Sequence, residues 1–319
     1  MADIDIFNGD ADGICALTQL RNAEPRQSTL ITGLKRDVAL VEKAECSAGD
    51  RVTALDLSFD KNRDGVLKAL QAGAEVFYVD HHFAGEIPES DKLTTIIDTD
   101  PNVCTSLLIN GYLKGKYVDW AVTGAFGDNL RTSARTLAGP LGYSEKQLSL
   151  LENLGIYMNY NGYGSSLADL HFPPAELFQL VRSFPTPFAF IEDSADAFAK
   201  LEAGYRGDMA AATAVKPVRE TEKVAVIVLP NEAWARRVSG VYSNDLANGS
   251  AGRAHAVLTE RADGTYLVSV RAPLDNKQGA DALCRQFPTG GGRAAAAGIN
   301  ALPADQLDAF IDALTASYV

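Results

Sequence analysis

Val76-Phe77-Tyr78-Val79-Asp80-His81-His82 is the stretch on which the reading of this chain turns. Four β-branched or aromatic residues read as a buried strand. An acid and two of the protein's four histidines stand where that strand ends. The same arrangement recurs upstream. Asp3–Phe7 reads as a strand that runs into Asn8-Gly9-Asp10-Ala11-Asp12-Gly13, and Val52-Thr53-Ala54-Leu55 runs into Asp56. Downstream, Gly124-Ala125-Phe126-Gly127 leads to Asp128. Ser28–Thr32 and Thr95–Ile97 read as further strands, and the amphipathic stretches Gly13–Asn22, Asp37–Glu45 and Lys61–Ala72 as the helices between them. Alternation of this kind predicts an α/β fold, a doubly wound parallel sheet with helices on both faces. In such sheets ligands bind beyond the carboxyl ends of the strands, where these acids and histidines gather.

From about Val103 to Glu220 the pattern is helical, with helices predicted at Val103–Leu113, Val118–Phe126, Ser144–Met158, Ala175–Ser183 and Asp193–Val215. Strands return at Val224–Leu229, Ala254–Glu260 and Tyr266–Val270, the last two joined by a turn at Ala262-Asp263-Gly264-Thr265. Lys277–Gln286 and Ala304–Ser317 read as helices. The chain therefore divides into a first domain over 1–195, a helical linker over 196–221 and a smaller α/β domain over 222–319.

Its 319 residues suit about two domains, and such a chain buries enough surface to fold without disulfides. With 29 Lys and Arg against 41 Asp and Glu, the net charge is −12, which repels polyphosphate at long range. Tracking along duplex DNA is thereby excluded; a nucleic-acid substrate has to be short or enter a pocket made positive locally. No apolar run is long enough for a membrane span. The acidic N-terminus does not read as a signal peptide, and Cys15, Cys46, Cys104 and Cys284 show no CxxC spacing, so a reduced, cytoplasmic protein is expected.

Carboxylates crowded on one sheet edge repel one another unless a cation neutralises them. Mixed Asp and His donors with open positions suit manganese or a similar ion. Two such ions about 3.5–4 Å apart can share a carboxylate, activate a water and clamp a phosphoryl group in line. Each motif alone has a plainer explanation. Asp-x-Asp-Gly after a strand is commonly a turn and helix cap, Asp56 could cap the next helix, and Asp128 could be a loop residue. Their recurrence at successive strand ends, beside a His-His pair, favours a metal site.

Near the C-terminus stands Thr289-Gly290-Gly291-Gly292-Arg293-Ala294-Ala295-Ala296-Ala297-Gly298. Gly290, Gly291 and Gly292 would leave backbone N–H groups open to an anion. Arg293 offers a bidentate grip on phosphate, and the alanines are expected to begin a helix. A flexible connection before a packing helix is the alternative. Arg271 at a strand end and Arg131 after Asp128 are further candidates for phosphate contact. Asn159-Tyr160-Asn161-Gly162-Tyr163-Gly164 could stack a base or could pack the domain. His171 and His255 are left outside the site.

As a set, these residues resemble the DHH phosphoesterases. Val79-Asp80-His81-His82 is similar to the signature of that family. Asp10-Ala11-Asp12-Gly13, Asp56 and Gly127-Asp128-Asn129 follow in the order of its other metal motifs. Gly290–Gly298 resembles the glycine-rich loop of the DHH-associated C-terminal domain. The resemblance implies two divalent ions, Mn2+ first and Mg2+ as the alternative. It implies that Asp10 binds the first ion and Asp12 the second, that Asp56 bridges them, and that His81 and Asp128 complete the second site. His82 would stand beside the scissile phosphate, Asp80 would orient the histidines, and Arg293 with its glycines would hold one end of the substrate. Two departures stand out. Asn8 is the only donor where many members have an extra histidine or aspartate, which implies a weaker first site. Arg293 replaces a histidine, which suits binding and rules out proton transfer there.

The resulting expectation is a metal-dependent phosphodiesterase that degrades short single-stranded oligonucleotides or dinucleotides to mononucleotides. The alternatives are a cyclic-dinucleotide phosphodiesterase and, from another class, a non-catalytic nucleotide sensor. Oligomeric state is left open, with a homodimer as one option.

Overall fold

The computed structural model describes residues 1–318. The chain forms two compact units, Met1–Glu202 and Ala203–Val319.

The first unit opens with β1 (Asp3–Phe7), α1 (Ala11–Ala23), β2 (Ser28–Ile31), β3 (Arg51–Leu55), α2 (Phe59–Gln71), β4 (Glu75–Asp80) and β5 (Leu93–Ile97). The five strands are all parallel, in the order β2-β1-β3-β4-β5. This is a doubly wound order whose direction of winding reverses between β1 and β3, and that reversal is where such sheets open a crevice for ligands. Helices α3 (Thr105–Tyr112), α4 (Val118–Gly127), α5 (Arg131–Ala138), α6 (Glu145–Asn161), α7 (Pro174–Val181) and α8 (Pro187–Asp193) follow, and α9 (Ala195–Ala214) carries the boundary between the units.

Alternation along the strands sorts the two faces. Ile4, Ile6, Val52, Ala54, Val76 and Tyr78 point to one side, where Phe59, Val66 and Ala69 of α2 cover them. Burial of each larger side chain is worth about 1.5–3 kcal/mol. On the other face α1 packs against α3, α4, α6 and α7. Beneath α1 lies a buried ion pair. Arg21 donates from Nη2 to Asp5 Oδ1 at 2.6 Å and from Nε to Asp5 Oδ2 at 2.8 Å, with a third bond to Thr53 Oγ1 at 2.9 Å.

Close approaches of small residues bring α4 against α1. A Cβ on Gly127 would stand 2.3 Å from Ala11 Cβ and 2.8 Å from the Gly155 carbonyl, so only glycine lets the end of α4, and Asp128 after it, reach the start of α1.

The helix expected over Asp37–Glu45 is reduced to one 3-10 turn, Val41–Lys43. Asn62 of α2 explains this. Its Oδ1 accepts from the N–H groups of Leu40 and Val41 at 3.0 Å each, and its Nδ2 donates to Val38 O at 2.6 Å, so the segment's backbone is satisfied without a helix.

The second unit contains β6 (Arg219–Glu220), β7 (Val224–Leu229), α10 (Ala233–Gly249), β8 (Ala254–Glu260), β9 (Thr265–Arg271), α11 (Ala280–Cys284), β10 (Gly290–Arg293), β11 (Ala296–Pro303) and α12 (Leu307–Ser317). Its mixed sheet runs β10-β11-β9-β8-β7-β6, with β7 and β8 parallel and the other pairs antiparallel. The glycine-alanine run is a hairpin, and the helix expected to follow Arg293 is strand β11. Alanine's helix propensity is a weak preference that sheet pairing overrides. Here β11 pairs on both sides, and a Cβ at Gly298 would sit 2.5 Å from Val268 O on the neighbouring strand. No helix among the described residues is long and apolar enough to cross a membrane.

Candidate metal centre

The loops after β1, β3 and β4 and the end of α4 converge at the point where the sheet's winding reverses. Asp10 caps α1: its Oδ1 accepts from the N–H groups of Asp12 at 3.0 Å and Gly13 at 3.2 Å. Asp12, in the first turn, is held from the opposite side. Its Oδ2 accepts from Thr105 N at 2.8 Å and its Oδ1 from Ser106 N at 2.7 Å, so the start of α3 fixes both oxygens. Asp56 follows β3 with φ of +59°, the left-handed region that aspartate tolerates better than most side chains. The turn is anchored by Asp56 N donating to Val79 O at 3.0 Å, and Thr105 Oγ1 reaches Asp56 Oδ1 at 3.4 Å.

His81 is the hub. Its Nε2 lies 3.5 Å from Asp56 Oδ1, 3.8 Å from Asp128 Oδ2 and 4.0 Å from Asp12 Oδ2. Two donors on one ion are separated by at most twice the ligand bond, about 4.2 Å for a bond of about 2.1 Å. All three separations fall inside that limit. Two donor groups emerge among the described residues, Asp12-His81-Asp128 and Asp56-His81-His82, and both contain His81.

The electrostatics favour a cation here. Burial, with the charges of Asp12, Asp10, Asp128 and Asp80, pushes the Asp56 carboxyl well above the ordinary range. Burial also raises Asp128, to about 6; Asp12 and Asp10 add to the rise while Lys35 and His81 restrain it. Carboxyls that hold protons so tightly do so for want of a counter-charge, and metal binding would release those protons. The residues around His81 therefore fit a divalent ion, in both donor chemistry and spacing.

The histidine pair divides its tasks. His82 Nδ1 lies 2.7 Å from Asp80 Oδ1, so Asp80 orients His82 rather than His81. Burial disfavours the His82 cation, but the hydrogen bond and charge of Asp80 outweigh it and raise the imidazole above its usual value. The other Asp80 oxygen is buried and has no hydrogen-bond partner.

Asp10 has a different neighbour. Its Oδ2 accepts a short hydrogen bond from the Lys35 ammonium. Burial works against ionised Asp10, but Lys35 and the Gly13 N–H overcome it and hold the carboxyl below its ordinary value. Burial likewise opposes the Lys35 charge, and Asp10, Tyr163 and Asp128 hold it well above its usual value. Lys35 Nζ also donates to Asn159 Oδ1 at 2.8 Å. Asn8 stands behind it: its Nδ2 donates to Lys35 O at 3.1 Å, and its Oδ1 is buried without a partner.

Other candidates lie elsewhere. Arg131 is ion-paired to Glu152 at 2.8 Å. Tyr160 is fully buried, with its hydroxyl 2.8 Å from His171 Nε2, so it packs the unit and offers no exposed face to a base. In the second unit, Arg293 of β10 and Arg271 of β9 both pair with Ala296 of β11. Directly opposed residues point to the same side of a sheet, so both arginines stand on one face, two strands apart, about 10 Å. Arg293 is exposed. Arg271 Nε donates to Asn244 Oδ1 at 2.8 Å. Gly290, Gly291 and Gly292 lie in edge strand β10 opposite Ile299, Gly298 and Ala297, so they form one side of a hairpin and not a loop.

Sequence reasoning passed over Lys35, Thr105 and Ser106, and it singled out Asn159 only as part of a segment that could meet a base. Lys35 was within reach of the same logic as the acids, since Thr32-Gly33-Leu34-Lys35 follows β2 of the same sheet.

No protein-family model matches the chain, and no curated protein matches its sequence. Solved structures are similar to it in fold. RecJ from Thermus thermophilus, in complex with Mn2+, matches with a TM-score of 0.64 at 18% identity over 99% of this chain and 51% of RecJ. This chain thus spans about half the length of RecJ. The DHH domain of a member of the S1p family of ribosomal proteins matches with a TM-score of 0.61 at 12% identity, over 99% of this chain and 86% of that one. The pGpG-specific phosphodiesterase PggH from Vibrio cholerae matches with a TM-score of 0.59 at 13% identity, over 99% of this chain and its whole length.

Proposed function

We propose that this chain, which shares its fold with RecJ, with a DHH domain and with the phosphodiesterase PggH, is a divalent-metal-dependent phosphodiesterase acting on short oligonucleotides or dinucleotides. One observation carries the proposal: three carboxylates from three separate elements converge within 4.0 Å of His81 Nε2, at the reversal point of the sheet. The domain over 1–195 does the chemistry, 196–221 links it, and 222–319 selects substrate.

Asp12, His81 and Asp128 would hold the ion, with Asp56 beside them at 3.5 Å from His81 Nε2, and Mn2+ before Mg2+ because an imidazole joins the oxygens. When bound, the ion supplies charge neutralisation for the phosphate and an acidified water. The chain's own groups do the rest. Thr105 and Ser106 keep Asp12 from turning away from the centre. The left-handed turn at Asp56 aims a carboxylate inward where an ordinary strand continuation would carry it past. His82, oriented and kept protonated more readily by Asp80, can give a proton to a departing oxygen from Nε2. Arg293 and Arg271 present two positive charges to an anionic substrate, and the net charge of −12 disfavours long polymers.

The test is hydrolysis of a length series, from a 5′-phosphorylated dinucleotide to a long single strand, with a cyclic dinucleotide alongside and with or without Mn2+. The expected result is Mn2+-dependent release of mononucleotides, fastest on the shortest linear substrate. Cleavage of the cyclic substrate alone would replace the substrate assignment, and no turnover of any member would leave a nucleotide sensor.

A further inference from the structure

We infer that Lys35 takes the place of one of the two cations that the resemblance to the DHH phosphoesterases implies, so that this centre is built for one divalent ion and one lysine ammonium. The inference rests on the metal reading above and changes its count.

The reasoning starts with Asp10, the acid expected to bind the first ion. A carboxylate has about four lone-pair positions. Three of them are taken in Asp10, two on Oδ1 by backbone N–H groups and one on Oδ2 by Lys35. Neither donor group around His81 includes Asp10. The charge that Asp10 faces is an ammonium carried by the chain.

Lys35 is held there from several directions. Its Nζ is bonded to Asp10 and to Asn159 Oδ1, and it lies 5.7 Å from the centre of the Tyr163 ring. Its backbone N donates to Gly162 O at 2.9 Å, and its carbonyl accepts from Asn8. A surface lysine loses rotamer entropy for any single contact; this one is tied at both backbone groups and at its head. Asn8 now has a purpose of its own. An aspartate there would lose the amide donor that fixes Lys35, so the Asn8 and Lys35 features belong together.

An ammonium and a dication are not equivalent. Lys35 can neutralise charge and donate three hydrogen bonds, two of which go to Asp10 and Asn159. The third is left to meet an anionic oxygen of a phosphodiester. Lys35 does not acidify a water as a metal does, so activation of the nucleophile falls to the group around His81 alone.

The experiment is Mn2+ binding to the full chain after chelator treatment, read as ions per chain by equilibrium dialysis with elemental analysis. One ion per chain is expected for the parent and also for Asp10→Asn, a substitution that keeps the helix cap. Two ions in the parent, falling to one in Asp10→Asn, would overturn the inference and leave the metal reading standing. No bound ion in the parent would remove the metal reading itself. Lys35→Met supplies an independent arm. Uptake of a second ion by this variant, or a loss of turnover of about 100-fold with one ion still bound, supports the substitution of lysine for metal. One ion with turnover unchanged overturns it.

Discussion

Asp128→Asn should make the metal-free protein more stable at pH 8 and leave it unchanged near pH 4. In the folded chain burial and neighbouring acids raise this carboxyl to about 6, against 3.8 for the free group. Between those values the folded state holds the proton more tightly than the unfolded state does. Asp128 therefore favours folding fully at low pH, and that contribution is lost as pH rises through about 6. Above pH 7 the folded protein carries the whole cost of ionising it, about 3 kcal/mol at 1.36 kcal/mol per pH unit. The amide is the same size and uncharged, so the variant is expected to gain up to that amount at pH 8. Urea unfolding in a chelator gives the measurement. A Trp234→Phe background leaves Trp120, buried in the first unit, as the only tryptophan reporter. Saturating Mn2+ should reverse the ranking, because the proposed ion position includes Asp128 and binding there would stabilise the parent by mass action. A variant less stable than the parent at pH 8 without metal would refute the claim that these carboxylates repel one another.

Three further outcomes follow from other parts of the molecule. Arg21→Met leaves buried Asp5 unpaired and should cost about 3–5 kcal/mol in urea unfolding, most of it recovered by adding Asp5→Leu, whereas a cost under about 1 kcal/mol would show the pair to be dispensable. Gly127→Ala forces α4 from α1 and should cost about 1–3 kcal/mol and weaken Mn2+ binding by displacing Asp128; unchanged affinity in a calorimetric titration would contradict that geometry. His255 is buried, and burial with the nearby Arg253 charge lowers its imidazole to about 4. Since its folded value lies below 6.5, it favours folding above pH 6.5 and that contribution is lost as pH falls toward 4. Relative to the parent, His255→Leu should therefore gain stability on going from about pH 7 to about pH 4.5, and a parallel pair of pH curves would count against it.

The strand ends were legible in the sequence because a parallel sheet buried on both faces writes its strands as apolar runs. Its candidate site residues then fall at fixed places, such as Asp56 after Leu55 and Asp80 after Val79. The register that brings Arg271 and Arg293 to one face was not legible, because it depends on β11, whose alanines and glycines carry no strand signal. Helix α10 was missed for a related reason: its stretch Ala233–Gly249 mixes glycine, serine and asparagine with its apolar positions, and its packing on β8 decides its form. The sheet edge on which Lys35 stands was legible, but its bond to Asp10 was not, since 25 residues separate them and the parallel pairing of β2 with β1 is what joins their loops. Asn62 likewise acts on Val38 through the fold, and it converts a plausible helix into a side-chain-supported loop.

The left-handed turn at Asp56 bears on how such a site can be lost. The backbone there admits few residues besides glycine, aspartate and asparagine. Aspartate and asparagine differ by a single base in their codons, and the exchange removes the charge while keeping the turn. A lineage carrying this fold can thus cross from enzyme to inert nucleotide binder in one mutational step without passing through a misfolded intermediate.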